Sequence, residues 1–91
     1  MQVPKILILE RQLTVALRMR DTLRRAGFRV VGLSPNLEMA LTVFHDEKPD
    51  VVISDIDLKS GHQPIFGSST VVYTPLSEAA LLDALHQVRK G

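Results

Sequence analysis

Apolar residues along this chain occur in two patterns, short continuous runs and stretches with helical spacing. Continuous runs are typical of strands buried on both faces of a parallel sheet, and they predict strands at Lys5–Leu9, 28–32, Val51–Ser54 and Thr70–Tyr73. Helical spacing after three of these runs predicts helices whose apolar faces contain Leu13, Ala16, Leu17, Leu23 and Ala26, then Leu37, Ala40, Leu41 and Phe44, and last Leu81, Leu82, Leu85 and Val88. This alternation predicts a doubly wound parallel α/β sheet with right-handed crossovers.

Small and polar residues mark where each helix is expected to begin and end. Gly27 is expected to stop the first helix, and residues 34–36 supply the cap and first turn of the second. The second helix is expected to end at Lys48, because the residue before Pro49 is pushed out of helical geometry. Ser77 is the expected N-cap of the last helix.

Composition sets the outer limits of the fold. With 91 residues, 45% of them hydrophobic and 23% charged, the chain is expected to form one small domain, residues 1–91. The chain contains no cysteine, which excludes a disulfide framework and a thiolate metal site. The first apolar run is too short for a secretory signal, and nothing approaches the length of a membrane span. These features predict a soluble, cytoplasmic protein without a membrane partner.

The charge is uneven along the chain, although the net charge is only +1. Most of the eleven basic residues lie in the first third: Lys5, Arg11, Arg18, Arg20, Arg24, Arg25 and Arg29. No aromatic side chain is interleaved with them to stack on bases, so a nucleic-acid partner is not expected. Two interpretations stay open, a solvated helix face and a basic helix that binds an acidic partner.

Candidate chemistry lies in residues 48–58. The third apolar run ends on Asp55, and a second carboxylate, Asp57, follows two residues later. Ligands bind at the carboxyl ends of the strands in open α/β sheets, so Asp55 is expected at a functional edge. The alternative is that Asp55 is only the polar end of a buried strand and caps the next turn.

Other signals for chemistry are weak. The three histidines, His45, His62 and His86, lack metal-ligand spacing, and surface or capping roles are expected for them. The chain has neither a phosphate-binding glycine loop nor a serine nucleophile elbow, so nucleotide hydrolases and esterases have no support.

These elements resemble the receiver domains of two-component response regulators. The resemblance covers residues 5–58 and resumes at 71–88, where VVYTPLSEAALLDALHQV is similar to the last strand, turn and helix of that family. The stretch DIDLKSG, together with VVG after the first helix, is similar to single-domain receivers of alphaproteobacterial type. The resemblance implies a flavodoxin-like sheet that lacks most of the family's third helix, fourth strand and fourth helix.

The resemblance also implies site residues. It implies phosphoryl transfer from a partner histidine kinase to Asp55, assisted by Mg²⁺. Glu10 matches one half of the family's acidic pair, whereas Arg11 replaces the other half. Thr74 replaces a lysine that contacts the phosphoryl group, and Pro75 retains a turn in which the family has a cis peptide bond.

Arg11 changes what this site can bind. The magnesium ligands reduce to Glu10 and Asp55, so we expect much weaker Mg²⁺ binding and no resident cofactor. A guanidinium can instead pair with Asp55 through two parallel hydrogen bonds; the alternative is that Arg11 points to solvent.

Only residues 59–69 stand where the family has two helices and a strand. They are either a bare crossover or a loop in which 64–66 is a remnant of the strand, and on the second interpretation Ser68 or Ser69 supplies the switch hydroxyl. Removing these elements is expected to uncover apolar surface and a strand edge. We therefore expect a homodimer through the truncated side, or a complex with a histidine kinase or another signalling protein.

The sequence and the resemblance leave two possible functions, and neither is that of an enzyme. The first is a degenerate receiver that acts as an interaction module independent of phosphorylation. The alternative is a receiver that still accepts a phosphoryl group on Asp55, using Glu10, Asp57 or its backbone, and a loop serine.

Overall fold

The computed structural model describes residues 3–56, 65–67, 69–74 and 77–90. Within them the chain forms four strands and three helices, in the predicted order: β1 (Lys5–Leu9), α1 (Leu13–Arg25), β2 (Arg29–Ser34), α2 (Leu37–Glu47), β3 (Val51–Ser54), β4 (Thr70–Tyr73) and α3 (Glu78–Lys90). The strands form one parallel sheet in the order β2-β1-β3-β4, which confirms the doubly wound fold. None of the helices in these ranges is long and apolar enough to cross a membrane.

Helices cover both faces of the sheet. Helices α1 and α3 pack against Ile6, Ile8 and Ile53 on one face, while α2 packs against Leu7 and Val52 on the other. Every residue of β3, and all of β1 except Lys5, is therefore buried. Burial on both faces is the reason for the continuous apolar runs, because no position of a central strand meets water.

Strand β2 differs from its predicted range, 28–32. It begins at Arg29 and continues through Gly32 to Ser34, with a bulge opposite the Ile6–Leu7 step of β1. Gly32 does not end the strand but allows α2 to approach it closely. A Cβ at this position would lie 2.8 Å from Cγ1 of Val43. The extra residues bring Ser34 to the carboxyl edge of the sheet, where its carbonyl accepts the Glu10 N–H (3.0 Å).

The predicted helix ends are present. Oδ1 of Asn36 accepts the Met39 N–H (2.9 Å) at the start of α2, and Oγ of Ser77 accepts the Ala80 N–H (3.1 Å) at the start of α3. Helix α2 ends at Glu47, and its C-cap Lys48, just before Pro49, has a φ of 50° in the left-handed region. Gly27 follows α1 with a φ of 89°, a conformation that favours glycine.

The shortened middle of the chain brings β4 directly beside β3, in the register Val51↔Thr70 to Ser54↔Tyr73. Ile65–Gly67 form a turn rather than the alternative remnant strand, and Pro64 lies outside the described residues. Phe66 in this turn is 1% exposed and packs edge-to-face on Phe44, with ring centroids 5.5 Å apart. The turn therefore contributes a large side chain to the core on the α2 face.

Candidate functional site

Three neighbouring strands end at one edge of the sheet and bring Glu10, Asp55 and Thr74 together. Leu9 is paired with Ser54, and Ser54 with Tyr73, so the residues that follow them lie side by side. Two main-chain bonds continue the sheet past these ends. The Asp55 N–H donates to the Leu9 carbonyl (3.2 Å), and the Thr74 N–H donates to the Ser54 carbonyl (2.9 Å). Asp55 thus occupies the carboxyl edge, where ligands of open α/β sheets bind.

Arg11 lies against Asp55. Its Nε donates to Oδ2 of Asp55 at 3.2 Å, and its main-chain N–H donates to the same oxygen at 3.4 Å. The predicted pair of parallel guanidinium bonds is wrong, because one side-chain and one main-chain donor of the same residue converge on a single oxygen. The Arg11 side chain is 70% exposed and that of Asp55 only 14%. Solvent screening at Arg11 limits the ion pair to about 1 kcal/mol or less.

The second carboxylate oxygen of Asp55 has a different environment. Oδ1 is buried and has no hydrogen-bond partner in the described part of the chain. A buried acceptor without a partner costs about 1–3 kcal/mol, which is stability that the fold loses at this position.

Glu10 is 8% exposed and is fixed by the backbone that follows it. Its Oε1 accepts the Gln12 N–H at 3.0 Å, just before the first turn of α1. Gln12 itself makes no side-chain cap bond, and no acidic residue lies in that turn. Glu10 therefore supports the start of α1 as well as lining the edge.

Of the remaining predicted site residues Asp57, Ser68, Thr74 and Pro75, the structure describes only Thr74. Thr74 lies at the end of β4, and its hydroxyl donates to the Ser54 carbonyl at 3.4 Å. Asp57, Ser68 and Pro75 lie outside the described residues, so their predicted roles remain predictions.

Ser54 makes the turn after β3, a role that the sequence reasoning considered only for Asp55. Its Oγ donates to the Ile56 carbonyl (2.8 Å) and accepts the Ile56 N–H (3.0 Å). Serine hydroxyls commonly bond the backbone two residues on, so the residue type was the available signal. Because Ser54 holds the turn, Asp55 does not have to cap it.

The described residues fit magnesium poorly. Mg²⁺ requires near-octahedral oxygen ligands, and the edge offers the carboxylates of Glu10 and Asp55. One oxygen of each already accepts an N–H, and the Arg11 guanidinium lies on Asp55. No group of three or more acidic, histidine or cysteine side chains within the described ranges could hold a metal ion.

A cleft of about 430 Å³ opens beside these strand ends, between α1 and α3. Glu10, Asp55 and Thr74 lie on its sheet side, and its walls include Val15 and Met19 of α1 and Leu81 of α3. Sequence reasoning missed this cleft, because the approach of two distant helices is not readable from either helix alone.

The fold resembles solved structures of receiver domains, as comparison with known proteins shows. No protein-family model matches the sequence, and no curated protein matches it either. Solved structures do match. The receiver domain of the response regulator PhyR from Erythrobacter litoralis superposes with a TM-score of 0.72 at 18% identity, over 97% of this chain and 91% of that one. The response regulator PhyR from Brucella abortus gives a TM-score of 0.65 at 24% identity, over 79% of this chain and 33% of that one.

A third match is the anti-anti-sigma factor PhyR from Bartonella quintana, in complex with the anti-sigma factor NepR. It gives a TM-score of 0.65 at 16% identity, over 97% of this chain and 48% of that one. The chain thus spans about a third of the Brucella protein and half of the Bartonella protein. At these identities the matches establish the fold, which is that of a response-regulator receiver domain in shortened form.

Proposed function

We propose that the protein is an atypical receiver of two-component signal transduction, which acts as an interaction module without phosphorylation of Asp55. The observation that carries this proposal is the Arg11 guanidinium on Oδ2 of Asp55, 3.2 Å away. A carboxylate attacks a phosphoryl group only where cations neutralise the charge that develops on the transferred oxygens. Here the cation at the edge is bonded to the nucleophile itself.

The oxygens of Asp55 support the same conclusion. Oδ2 accepts two N–H groups of Arg11, while Oδ1 is buried and unavailable to an incoming phosphodonor. Thr74, the residue after β4, has a hydroxyl bonded to the main chain and offers no cationic side chain. Neither the nucleophile nor the surrounding charge is arranged for phosphoryl transfer.

Intact mass after incubation with acetyl phosphate and Mg²⁺ tests this proposal. We expect no phosphoryl adduct on the wild-type protein, and none on the Asp55→Asn control. An adduct on the wild type that is lost in Asp55→Asn would overturn the proposal and establish a phosphorylatable receiver. An adduct on Arg11→Asp alone would show that Arg11 silences a usable site.

The proposed module acts by binding proteins, and we propose a homodimer through the truncated side. Support comes from β4, whose Val71 and Val72 are only half-buried although the equivalent positions of β3 are fully buried. The N–H groups of Thr70 and Thr74 donate to the β3 side, so by alternation the Val71 N–H points away from it. A second copy can add a strand at this position. The NepR complex of the Bartonella protein supports protein partners for this fold in general.

Sedimentation velocity from about 1 to 100 µM tests the dimer, because subunit association depends on concentration. We expect a dimer for the wild type and a monomer for Val71→Pro, which lacks the outward N–H but keeps the donors facing β3. Circular dichroism confirms that the variant is folded. A wild type that stays monomeric throughout this range, or a folded Val71→Pro that still dimerises, would contradict the strand-edge interface.

A further inference from the structure

We propose that the cleft between α1 and α3 binds a primary alkylammonium group, such as the end of a lysine side chain. This inference deepens the proposed function, and it rests on that function only in requiring an Asp55 without a phosphoryl group. The cleft combines a surplus of carboxylates, apolar walls and a suitable volume.

Negative charge dominates the cleft. The carboxylates of Glu10, Asp55 and Glu78 line it. Arg11 pairs with Asp55 from outside the lining, so Glu10 and Glu78 remain against the single guanidinium of Arg18. Among the described residues Arg18, Glu10 and Glu78 form no ion pair, so these charges are not neutralised in place. Glu10 is also largely buried, and low local polarity strengthens its attraction for a cation.

The walls of the cleft suit an alkyl chain. Val15 and Met19 on α1 face Leu81 on α3, so a chain of methylene groups can contact apolar side chains on two sides. Val15 is 37% exposed, and covering it removes apolar surface from water. A volume of about 430 Å³ is at the lower end of small-molecule sites and exceeds what a four-carbon amine needs.

The cation that pairs with Asp55 lies outside the lining of the cleft. Arg11 reaches Oδ2 of Asp55 but does not line the cleft. Thr74, which does line it, directs its hydroxyl back to the Ser54 carbonyl. An ammonium group from outside would therefore meet the carboxylates of Glu10 and Glu78, which only the exposed Arg18 partly compensates. An anionic ligand would meet the same carboxylates and be repelled.

An NMR titration of the full chain with n-butylammonium tests the inference. Methyl signals of Met19 and Leu81 are expected to shift with a dissociation constant of about 1–10 mM, typical of five non-hydrogen atoms in an open site. The uncharged isostere 1-butanol, at the same ionic strength, is expected to bind at least about fivefold more weakly, because it lacks the charge that the carboxylates attract. Equal binding of the two, or no shift with either, would overturn the inference.

Two glutamates give a matched pair of variants. Glu78→Gln removes a carboxylate from the cleft, and we expect affinity for butylammonium to fall about threefold. Glu38→Gln removes the corresponding first-turn carboxylate of α2, on the opposite face of the sheet, and is expected to leave affinity unchanged. Equal losses in both variants would indicate general surface charge and would contradict a site in the cleft.

A second titration, with the blocked lysine Nα-acetyl-lysine methylamide, distinguishes a lysine side chain of a partner protein from a free amine. Binding of both probes supports a lysine from a partner protein, whereas binding of butylammonium alone supports a free amine. The titrations contain no phosphodonor or magnesium. Phosphorylation in the acetyl phosphate experiment would therefore overturn the proposed function without deciding this inference, and absent ammonium binding would overturn this inference alone.

Discussion

Replacing Phe66 with alanine is expected to destabilise the protein by about 3–5 kcal/mol, the usual cost of deleting a buried phenyl ring. Phe66 is 1% exposed and belongs to the core cluster that contains Leu7, Leu9 and Val52. Its ring also packs edge-to-face on Phe44, a geometry that contributes about 0.5–1.5 kcal/mol beyond burial. Small domains have total stabilities of about 5–15 kcal/mol, so this single loss is a large fraction of the whole.

Urea denaturation followed by circular dichroism measures this loss. Leu13→Ala is the matched control, because Leu13 is also a large apolar residue but is 65% exposed. Its expected effect is within about 0.5 kcal/mol, as for surface substitutions generally. Phe66→Leu keeps most of the volume and is expected to cost less than about 1.5 kcal/mol. If Phe66→Ala cost no more than Leu13→Ala, the Ile65–Gly67 turn would not be part of the core.

Phe66 also shows where sequence reasoning reaches its limit in this fold. The runs at Lys5–Leu9 and Val51–Ser54 predicted central strands correctly, because nearly every position of a strand covered on both faces is buried and favours an apolar side chain. Phe66 does not belong to an apolar run of this kind. A single aromatic residue in a glycine-containing loop has no periodicity from which its burial could be predicted. Its burial depends on Phe44, which lies on α2, far away in the sequence. Contacts of this kind follow from the assembled fold rather than from a local pattern.

Gly32 illustrates a second limit. The strand was expected to span residues 28–32 and so to stop at this glycine. The structure uses the missing side chain differently, since a Cβ would meet Val43 at 2.8 Å. Glycine can either form a turn or allow another element to pack closely against the backbone. At Gly32 the position of α2 shows that the second role applies.

The candidate site also has features that the sequence predicts and features that it does not. The position of Asp55 and its contact with Arg11 could be predicted, because Asp55 directly follows β3 and Arg11 lies two residues past the end of the neighbouring parallel strand β1. The geometry of the contact could not, since it depends on which donors of Arg11 reach Oδ2. The cleft could not be predicted either, because its lining comes from residues far apart in the chain. Strand ends are readable from sequence, whereas the spaces between helices are not.

Arg11→Asp is expected to make the stability of the protein depend on magnesium. The variant replaces the guanidinium on Asp55 with a third carboxylate beside Glu10 and Asp55. Repulsion at this partly exposed edge, with loss of the ion pair, is expected to cost about 1 kcal/mol in EDTA, or about 4–8 °C in Tm for a domain of this size. Three clustered carboxylates suit Mg²⁺ better than two, so the ion is expected to restore stability.

Thermal unfolding with and without Mg²⁺ tests this expectation. At ten times its dissociation constant the ion stabilises a folded protein by about 1.4 kcal/mol, which would offset the loss in Arg11→Asp. Arg11→Gln is the control, because it removes the guanidinium without adding a carboxylate, and its Tm is expected to change little with Mg²⁺. The wild type is expected to be equally insensitive. An equal rise in Tm for the wild type would mean that the edge binds Mg²⁺ with Arg11 present, and the case for a silent Asp55 would fail.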